Sequence, residues 1–381
     1  MKRTRLGDIS EISNGKTIPE ELGDIPAYGG NGITGFVNKF NNSGPKIIVG
    51  RVGAYAGVIH FSEKDFWLTD NALSISVKDE VDYKYLYYFL KQVNLSQFQV
   101  GSSQPLVTQT MLNNLTFSLP LLIEQNRIAK MLSDLDDKIA LNNKINTELE
   151  QMAREIYDYW FLQFDFPDES GQPYRSSGGR MAYNAQLKRE IPEGWEVKRL
   201  YDIATFTNGL ASQKFRPKGE EKYRVIKIRE MKDGFTKDTE FVDVSVPEKV
   251  IVQDGDILFS WSASLEVMIW SGGIGSLNQH IFKVTSEEYP KSYVYMQLLN
   301  YLNVFQKIAE NRKTTMGHIT IDHLKQAKIA VPTEKIAQDF EKLISPILDK
   351  IVKNNQESRE LANLRDCLLP MLMNGQVKVK D

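Results

Sequence analysis

The chain has 381 residues, of which 41% are hydrophobic and 25% charged, and its formal net charge is -2. That length allows two or more domains with separate cores, and the composition excludes a disordered or fibrous protein. A signal-peptide pattern and an apolar run of about 18 residues are both missing, which predicts a cytoplasmic protein without a membrane segment. One cysteine, Cys367, excludes an internal disulfide and a cysteine-based zinc site, and its helical context predicts a buried apolar side chain.

A glycine-rich stretch near the start, YGGNGITGF at 28–36, has the G-x-G-x-x-G spacing of dinucleotide-binding loops. Such loops need a helix directly after the glycines, because the phosphates rest on the helix N-terminus. The residues that follow, FVNKFNNSGPK, contain Asn41-Asn42, Gly44 and Pro45, which disfavour a helix. We therefore predict a tight surface loop here and no cofactor bound by this chain.

Other stretches that resemble catalytic motifs are incomplete. SNGKT at 13–17 resembles the end of a P-loop, but Ser10 stands where the first glycine is required. The four histidines lack metal-ligand spacing, and no signature of an amino-methyltransferase or a nuclease is complete. The sequence thus predicts no catalytic residue and no metal site.

Two parts of the chain repeat each other. RLGDI at 5–9 returns as RLYDI at 199–203, and Asn14-Gly15 returns as Asn208-Gly209. LDDKIALNN at 135–143 likewise returns as ILDKIVKNN at 347–355. Each copy begins with strand-like runs, PKIIVGRVGAYAGVIHF at 45–61 and GDILFSWSASLEVMIW at 255–270, and ends in a long helical stretch. The repeat indicates two tandem copies of one module. The stretch from 166 to 195 between them is rich in Gly, Pro and Ser and predicts a connecting loop.

Both helical stretches carry a heptad stripe. It occupies positions 128, 135, 142, 149 and 156 in the first copy and 340, 347, 354, 361 and 368 in the second. A stripe of this length predicts coiled-coil helices of about 60 Å, and the simplest arrangement pairs them antiparallel. The predicted pairing residues are Leu135, Ile139, Asn142, Leu149, Ile347, Ile351, Asn354 and Leu361. Asn142 and Asn354 are predicted to fix the register, although both positions would also suit a solvent-facing residue.

Polar and basic loops supply the candidate DNA contacts. KFRPKGEEKYRVIKIREMK at 214–232 has eight basic against three acidic residues, which suits phosphate contact and also a solvated surface. GSSQPLVTQ at 101–109 and NRKTTMGH at 311–318 precede the final strand of their copies and could contact bases or form plain turns. The predicted DNA-contacting residues are Lys16, Asn31, Arg51, Tyr55, Ser102, Ser103, Gln104, Lys214, Arg216, Lys218, Arg224, Lys227, Arg229, Trp261, Ser262, Arg312, Lys313, Thr314 and Thr315.

The ordered set of motifs resembles one known family. RLGDI, IPAYGGNGITGF, LPLLIEQNRIAKMLSDLDDKI, FDFPDESGQPYRSSGG, IPEGWEVKRLYDI and GDILFS follow each other as in the DNA specificity subunit of type I restriction-modification systems. The resemblance implies an α+β fold in which two mixed α/β target recognition domains are joined by two long antiparallel coiled-coil helices with pseudo-two-fold symmetry. It implies recognition domains at 1–120 and 195–332, spacer helices at 121–165 and 333–376, and a connecting loop at 166–194.

The same resemblance implies a role without chemistry of its own. Each recognition domain would read one half of a bipartite target in double-stranded DNA, and the helices would dock two methyltransferase (modification) subunits, which restriction subunits can join. S-adenosylmethionine, and ATP with Mg, would be bound by these partners, which methylate adenine or cleave DNA.

The chain departs from the family pattern in two places. The first copy lacks the lead that Pro192, Gly194 and Trp195 give the second, and Glu124-Gln125 is matched by Ile336 and Ala337. Whether the two partner contacts are equally strong therefore stays open. The neutral overall charge also suits another class of protein, a coiled-coil scaffold that spaces two protein-binding domains. Co-purification with an S-adenosylmethionine-binding subunit would separate the two readings.

Overall fold

A computed structural model of the chain describes residues 2–93, 95–98, 106–311 and 318–379. The chain divides into two compact units, Met1–Ile139 with Glu360–Asp381, and Ala140–Arg359. Both divisions fall inside long helices, so each unit contains a part of each helix. No helix in the described part of the chain is long and apolar enough to cross a membrane.

The first unit is built from short strands and helices. They are β1 Lys2–Arg5, α1 Leu6–Ile9, β2 Ser10–Asn14, β3 Leu22–Gly29, β4 Gly32–Val37, β5 Lys46–Gly50, β6 Ile59–Ser62, β7 Trp67–Leu68, β8 Ala72–Val77, α2 Tyr83–Gln92, α3 Gln109–Asn113, β9 Thr116–Leu119 and the start of α4 Leu122–Tyr157. 3-10 turns cover Gly53–Tyr55 and Leu95–Phe98. The buried faces of β5 and β8, with α2, surround its main core.

The second unit repeats this order with additions. After a π-helical turn at Asp158–Leu162 come β10 Met181–Asn184, β11 Arg189–Pro192, β12 Glu196–Arg199, β13 Thr205–Asn208, β14 Lys222–Ile226, α5 Ile228–Asp233, β15 Phe241–Asp243, β16 Ile251–Val252, β17 Ile257–Ser260, β18 Glu266–Ile269, β19 Gly275–Leu277, β20 Ile281–Thr285, α6 Lys291–Asn311, α7 Ile321–Gln326, β21 Lys328–Val331 and α8 Glu334–Met373. 3-10 turns cover Leu200–Ile203, Ser212–Lys214 and Glu248–Val250.

The two units share one sheet topology. The main sheet has the strand order β2-β8-β5-β6 in the first unit and β13-β20-β17-β18 in the second, with antiparallel pairs throughout. The first and last strands of each copy also pair, as β1 with β9 and β12 with β21. A smaller sheet contains one parallel pair in each unit, β3 with β7 and β14 with β19. The tandem repeat read from the sequence is therefore a repeat of the fold.

The repeated sequence motifs occupy equivalent positions in the two units. Leu6 and Leu200 are fully buried, and their backbone N–H groups donate to Leu115 and Ala327 at 2.8 Å. Gly15 and Gly209 both pass close to the opposite strand, because a Cβ would lie 1.9 Å from the carbonyl oxygen of Thr69 in one unit and 2.2 Å from that of Asn278 in the other. Only glycine fits such an approach, which explains the repeated glycine.

Within each unit the two long helices run antiparallel. In the second unit, Asn142 contacts Glu357 and Ser358, whereas Asn146, farther along α4, contacts Asn354 and Asn355. In the first unit, Ile128 and Leu132 share a core with Leu372 and Met373, whereas Asp136 pairs with Arg365. Residues of α4 with increasing residue numbers therefore contact residues of α8 with decreasing residue numbers.

The predicted role of Cys367 was wrong. Its side chain is exposed, because it lies one residue before the stripe position Leu368, and adjacent helical residues point about 100° apart. The glycines at 30–35 belong to a β-hairpin, in which Gly29 pairs with Gly32 across the turn and Gly32 has φ +94°. Strand β4, rather than a helix, follows this turn.

The connection between the copies contains more structure than its sequence indicates. Strands β10 and β11 form an antiparallel hairpin there. Phe166 stacks on Tyr174 at 4.7 Å and on Trp195 at 5.4 Å between ring centroids, and Phe166 and Trp195 belong to the main core of the second unit. These aromatic residues follow no helical or strand period, so burial of their rings orders a segment that local pattern describes as a loop.

At Glu124-Gln125, the first residue and its counterpart Ile336 are half-buried, whereas the second lies in the interior of the first unit. Gln125 is fully buried, its Oε1 accepts from the N–H of Asp82 at 2.9 Å, and its Nε2 donates to the carbonyls of Glu80 and Pro120. Ala337 is buried at the matching place of the second copy. Gln125 therefore joins α4 to the start of α2, and its replacement by alanine does not change the surface.

Candidate nucleic-acid interface

Three strands of the main sheet end close together in the second unit. β13 ends at Asn208, Trp261 directly follows β17, and Gln279 and His280 directly precede β20. Trp261 Nε1 donates to Asn208 Oδ1 at 3.1 Å, and the Trp261 N–H donates to the His280 carbonyl at 3.2 Å. Gln279 Nε2 lies 3.2 Å from His280 Nε2, whose ring centroid is 5.5 Å from that of Trp261. We call these four residues the second strand-end cluster.

The same place in the first unit carries different side chains. Here β2 ends at Asn14, Arg51 follows β5, and Asp70 and Asn71 precede β8. The Arg51 N–H donates to the Asn71 carbonyl at 2.9 Å, as Trp261 does to His280. We call these four residues the first strand-end cluster.

In each copy, the segment just before the short helix α3 or α7 also contacts the cluster in the same way. The N–H of Val107 donates to the Arg51 carbonyl, and that of Ile319 donates to the Trp261 carbonyl, both at 2.9 Å. The backbone is therefore equivalent in the two clusters, although Arg51, Asp70 and Asn71 are replaced by Trp261, Gln279 and His280.

The chemistry of these side chains suits base recognition. Asn and Gln amides can make paired hydrogen bonds to adenine, Arg can make them to guanine, and carboxylates accept from cytosine. Asn14, Asp70, Asn71 and Asn208 are exposed, while Arg51, Trp261, Gln279 and His280 are half-buried. Different donors and acceptors on one common backbone can distinguish different base sequences.

Several residues predicted from the sequence lie in or beside these clusters. Arg51 and Trp261 are members, and Ser262 is buried where it bridges to His318. Lys16 is exposed next to the Asn14-Gly15 turn, its N–H donates to Leu68 at 2.9 Å, and its carbonyl accepts from the Trp67 indole. Tyr55 is exposed on the 3-10 turn after Arg51. The predicted residues Ser102, Ser103, Gln104, Arg312, Lys313, Thr314 and Thr315 lie outside the described residues.

Asn31 lies in the turn of the β3–β4 hairpin, at a separate cavity of about 530 Å³ in the first unit. Tyr28, His60 and Tyr88 also line this cavity. Burial and then the Lys91 charge lower the pKa of His60, so its imidazole favours the neutral form. Lys84 and three carboxylates, those of Glu63, Asp136 and Asp137, also line the cavity, and Lys84 pairs with Glu63 at 3.1 Å. The acidic lining disfavours a phosphate at this place.

The basic segment at 214–232 is only partly available to a ligand. Arg229 pairs with the buried Glu230 carboxylate at 2.8 Å, Arg224 lies over the Phe235 ring at 5.2 Å, and the Lys227 ammonium bonds to Glu240. The Lys227 hydrogen bond lowers the pKa of the Glu240 carboxyl. Lys214, Arg216 and Lys218 are exposed. Arg224 and Arg229 are exposed as well, but their side chains and that of Lys227 already make contacts within the domain.

Asparagines of the heptad stripes meet inside the second unit. Asn142 and Asn354 are each 1% exposed, Asn142 Nδ2 donates to Glu357 at 2.9 Å, and Asn354 Nδ2 donates to Asn146 at 2.8 Å. Ile347 and Ile351 are buried. Leu135, Ile139, Leu149 and Leu361 are half-buried. Among the predicted pairing residues, Asn142 and Asn354 are the most fully buried.

Asp70, Asn71, Gln279 and His280 were not identified from the sequence. They differ between the copies, and only the pairing of β8 and β20 with their neighbours aligns them. A shared position just before the last strand of the main sheet was the available signal. Among the described residues, no three histidine, cysteine or acidic side chains lie close enough together to hold a metal ion.

Comparison with known proteins gives a consistent result. A family model described as type I restriction modification DNA specificity domain matches residues 1–151 and 192–364. The chain is 24% identical to the type I restriction enzyme MjaIX specificity subunit of Methanocaldococcus jannaschii, over 99% of this chain and 93% of that protein. It is 30% identical to the type I restriction enzyme EcoprrI specificity subunit of Escherichia coli over 159 residues, 40% of this chain and 39% of that one. The fold is similar to the crystal structure of the type I restriction-modification S subunit from M. genitalium, with a TM-score of 0.64 at 18% identity, covering 98% and 96% of the two chains.

Proposed function

Because the chain belongs to the family of type I restriction-modification DNA specificity subunits, we propose that its two strand-end clusters read the two halves of one bipartite DNA target. The observation that carries this proposal is that equivalent backbone positions bear unlike side chains in the two units. Arg51 corresponds to Trp261, and Asp70 corresponds to Gln279. Equivalent backbone would approach the DNA in the same way in both units, while the unlike side chains would select different bases.

The long helices and the partner subunits complete this proposal. We propose that α4 and α8 form an antiparallel coiled coil with pseudo-two-fold symmetry that sets the distance between the half-sites and docks two modification subunits. Restriction subunits would join that assembly. S-adenosylmethionine, and ATP with Mg, would be bound by the partners, which transfer the methyl group to adenine or cleave the DNA. This chain would contribute sequence recognition without a catalytic residue.

The test uses the chain assembled with its modification subunits. Methyl transfer from S-adenosylmethionine to a library of duplexes would be sequenced to give the preferred base at each target position. The Gln279→Ala variant should relax preference in one half-site only, by about 1 to 3 kcal/mol at the affected base pair, which is about five- to 150-fold. Asp70→Ala, at the matching place of the first cluster, should relax only the other half-site.

Two results would contradict the proposal. One is equal methylation of all duplexes by the unchanged complex. The other is a pair of variants that weaken methylation uniformly while both half-site preferences stay intact, because that pattern is expected of residues that contact phosphates alone.

A further inference from the structure

Two turns of α8, residues 354–359, hold the other long helix on one face. Asn354, Glu357 and Ser358 follow the three- and four-residue spacing of a single helix face. Asn142 Nδ2 donates to Glu357 Oε2 at 2.9 Å and to Ser358 Oγ at 3.3 Å, and Asn354 Nδ2 donates to Asn146 at 2.8 Å. These bonds fix the register of α8 against α4 within the second unit.

A second face of the same two turns holds the globular part of this unit. Gln356 and Arg359 are three residues apart and point to the loops beside β16 and β18. Gln356 Nε2 donates to Asp254 Oδ2 at 2.8 Å, and Arg359 donates through Nη1 to the carbonyl of Ser271. Arg359 Nη2 also lies 3.9 Å from Asp254 Oδ2. Helix and globular part are therefore joined by polar contacts of defined direction.

Asp254 is itself firmly attached to the globular core. Its Oδ1 accepts from the N–H of Gly273 at 2.6 Å, and the Gly273 carbonyl accepts from Trp270 Nε1, also at 2.6 Å. Trp270 is 2% exposed and packs in a core cluster with Val252 and Leu258. Movement at Asp254 would therefore displace the loop that surrounds a buried tryptophan.

In the part of the first copy that the structure describes, the matching helical positions make no such contacts. Lys144 and Thr147 correspond to Gln356 and Arg359 in the repeat. Lys144 lies 3.9 Å from Glu148 of its own helix, and Thr147 donates to the carbonyl of Asn143 at 3.1 Å. Among the described residues these are their side-chain contacts, so the arrangement belongs to the second copy.

We propose that residues 354–359 are a junction that couples the register of the long helices to the placement of the second recognition domain. Gln356 and Arg359 are its positioning residues. This inference rests on the proposed function, since it makes the junction responsible for a strict distance between the half-sites. A helix that holds its partner and its domain by two faces of the same turns transmits any change of register directly to the domain.

The experiment pairs a junction variant with a matched control. The variant is Gln356→Ala with Arg359→Ala. Alanine has a high helix propensity, so the helix should persist, and the Asp254–Gly273 hydrogen bond stays in place. The control is Lys144→Ala with Thr147→Ala. Each chain, assembled with its modification subunits, methylates duplexes that carry both half-sites at the native spacing or at one base pair more or less.

We expect the junction variant to lose about tenfold of its preference for the native spacing, which corresponds to about 1.4 kcal/mol. Its preference for bases within each half-site should stay unchanged, and the control should keep the full spacing preference. A junction variant with unchanged spacing preference would overturn the proposal.

A measurement without DNA separates this inference from the proposed function. Amide hydrogen exchange in the free chain should become about tenfold faster at residues 271–273 of the junction variant and stay unchanged in the control. Equal exchange in the variant and the unchanged chain would overturn the junction. If the unchanged complex shows no spacing preference at all, the proposed function fails, and the exchange result still decides whether the junction exists.

Discussion

Two buried tyrosines of α2, three residues apart, give a sharp test of what a buried hydroxyl contributes to the first unit. Tyr88 is 3% exposed, and its hydroxyl donates to Asp136 Oδ2 at 2.7 Å, while Arg365 pairs with the other oxygen of Asp136. Tyr85 is fully buried, and its hydroxyl has no hydrogen-bond partner among the described residues. Replacing either tyrosine by phenylalanine removes the same atom from a buried site.

The expected changes in the free energy of unfolding differ in size and in sign. Tyr88→Phe should destabilise the first unit by about 1.5 to 3 kcal/mol, because it removes a hydrogen bond to a charged group. Tyr85→Phe should be neutral or stabilise by about 1 kcal/mol, because it removes a buried polar atom that has no partner. Each residue thereby serves as the control for the other.

Urea unfolding at neutral pH, with amide exchange of α2 to assign the change to the first unit, measures both variants. The single variant Asp136→Ala and its combination with Tyr88→Phe complete a double-mutant cycle, which isolates the hydroxyl–carboxylate contribution. A Tyr88→Phe variant as stable as Tyr85→Phe would refute the reasoning, because the bond would then contribute nothing beyond the packing of the ring.

Three further predictions concern pH, helix pairing and helix length. Burial raises the pKa of Tyr85 to about 12, so the folded state holds this proton more tightly than the unfolded state. The contribution of this hydroxyl to stability should be constant below pH of about 10 and fall by about 1.4 kcal/mol per pH unit from there to about 12. In urea titrations at stepped pH, Tyr85→Phe should lower the slope by this amount and leave the contribution of Tyr88, whose pKa burial and the Asp136 carboxylate also raise; an unchanged slope would contradict the burial effect. Asn354→Ala removes the donor to Asn146 and should destabilise the second unit by about 1 to 3 kcal/mol in urea unfolding, whereas no change would show that the bond is not formed in solution. Insertion of four residues into α4, about 6 Å of helix, should change the half-site gap by about one to two base pairs and leave the half-site sequences intact, which mapping of methylated sites would reveal; an unchanged gap would contradict the spacer role.

The repeat made the shared fold predictable because packing restricts which residues fit at its most similar positions. Leu6 and Leu200 fill equivalent core sites, and Gly15 and Gly209 allow a close approach of backbone that any side chain would block. The two long helices were predictable from the heptad stripe, which spans most of Leu122–Tyr157 and Glu334–Met373. Periodic patterns and close-packed glycines are local signals, so a single sequence carries them.

The strand-end clusters were less predictable, since their members come together across strands. Arg51 and Trp261 were identified from polar loops, but Gln279 and His280 join Trp261 only through the pairing of β17 with β20. The basic segment was misleading in a different way. Arg229 was predicted to contact DNA because the segment is rich in positive residues, yet it pairs with the buried Glu230 beside it. The number of basic residues in a segment does not reveal which of them form ion pairs within the domain.

The pairing of first with last strand in each copy has a consequence for how new specificities arise. In both units the backbone enters through β1 or β12 and leaves through β9 or β21, its antiparallel neighbour. A segment whose two ends lie side by side can be exchanged as a cassette, because grafting disturbs little beyond one two-stranded seam. Replacing the stretch from β1 to β9 by that of a relative should therefore change the half-site read by the first unit and leave the other half-site unchanged.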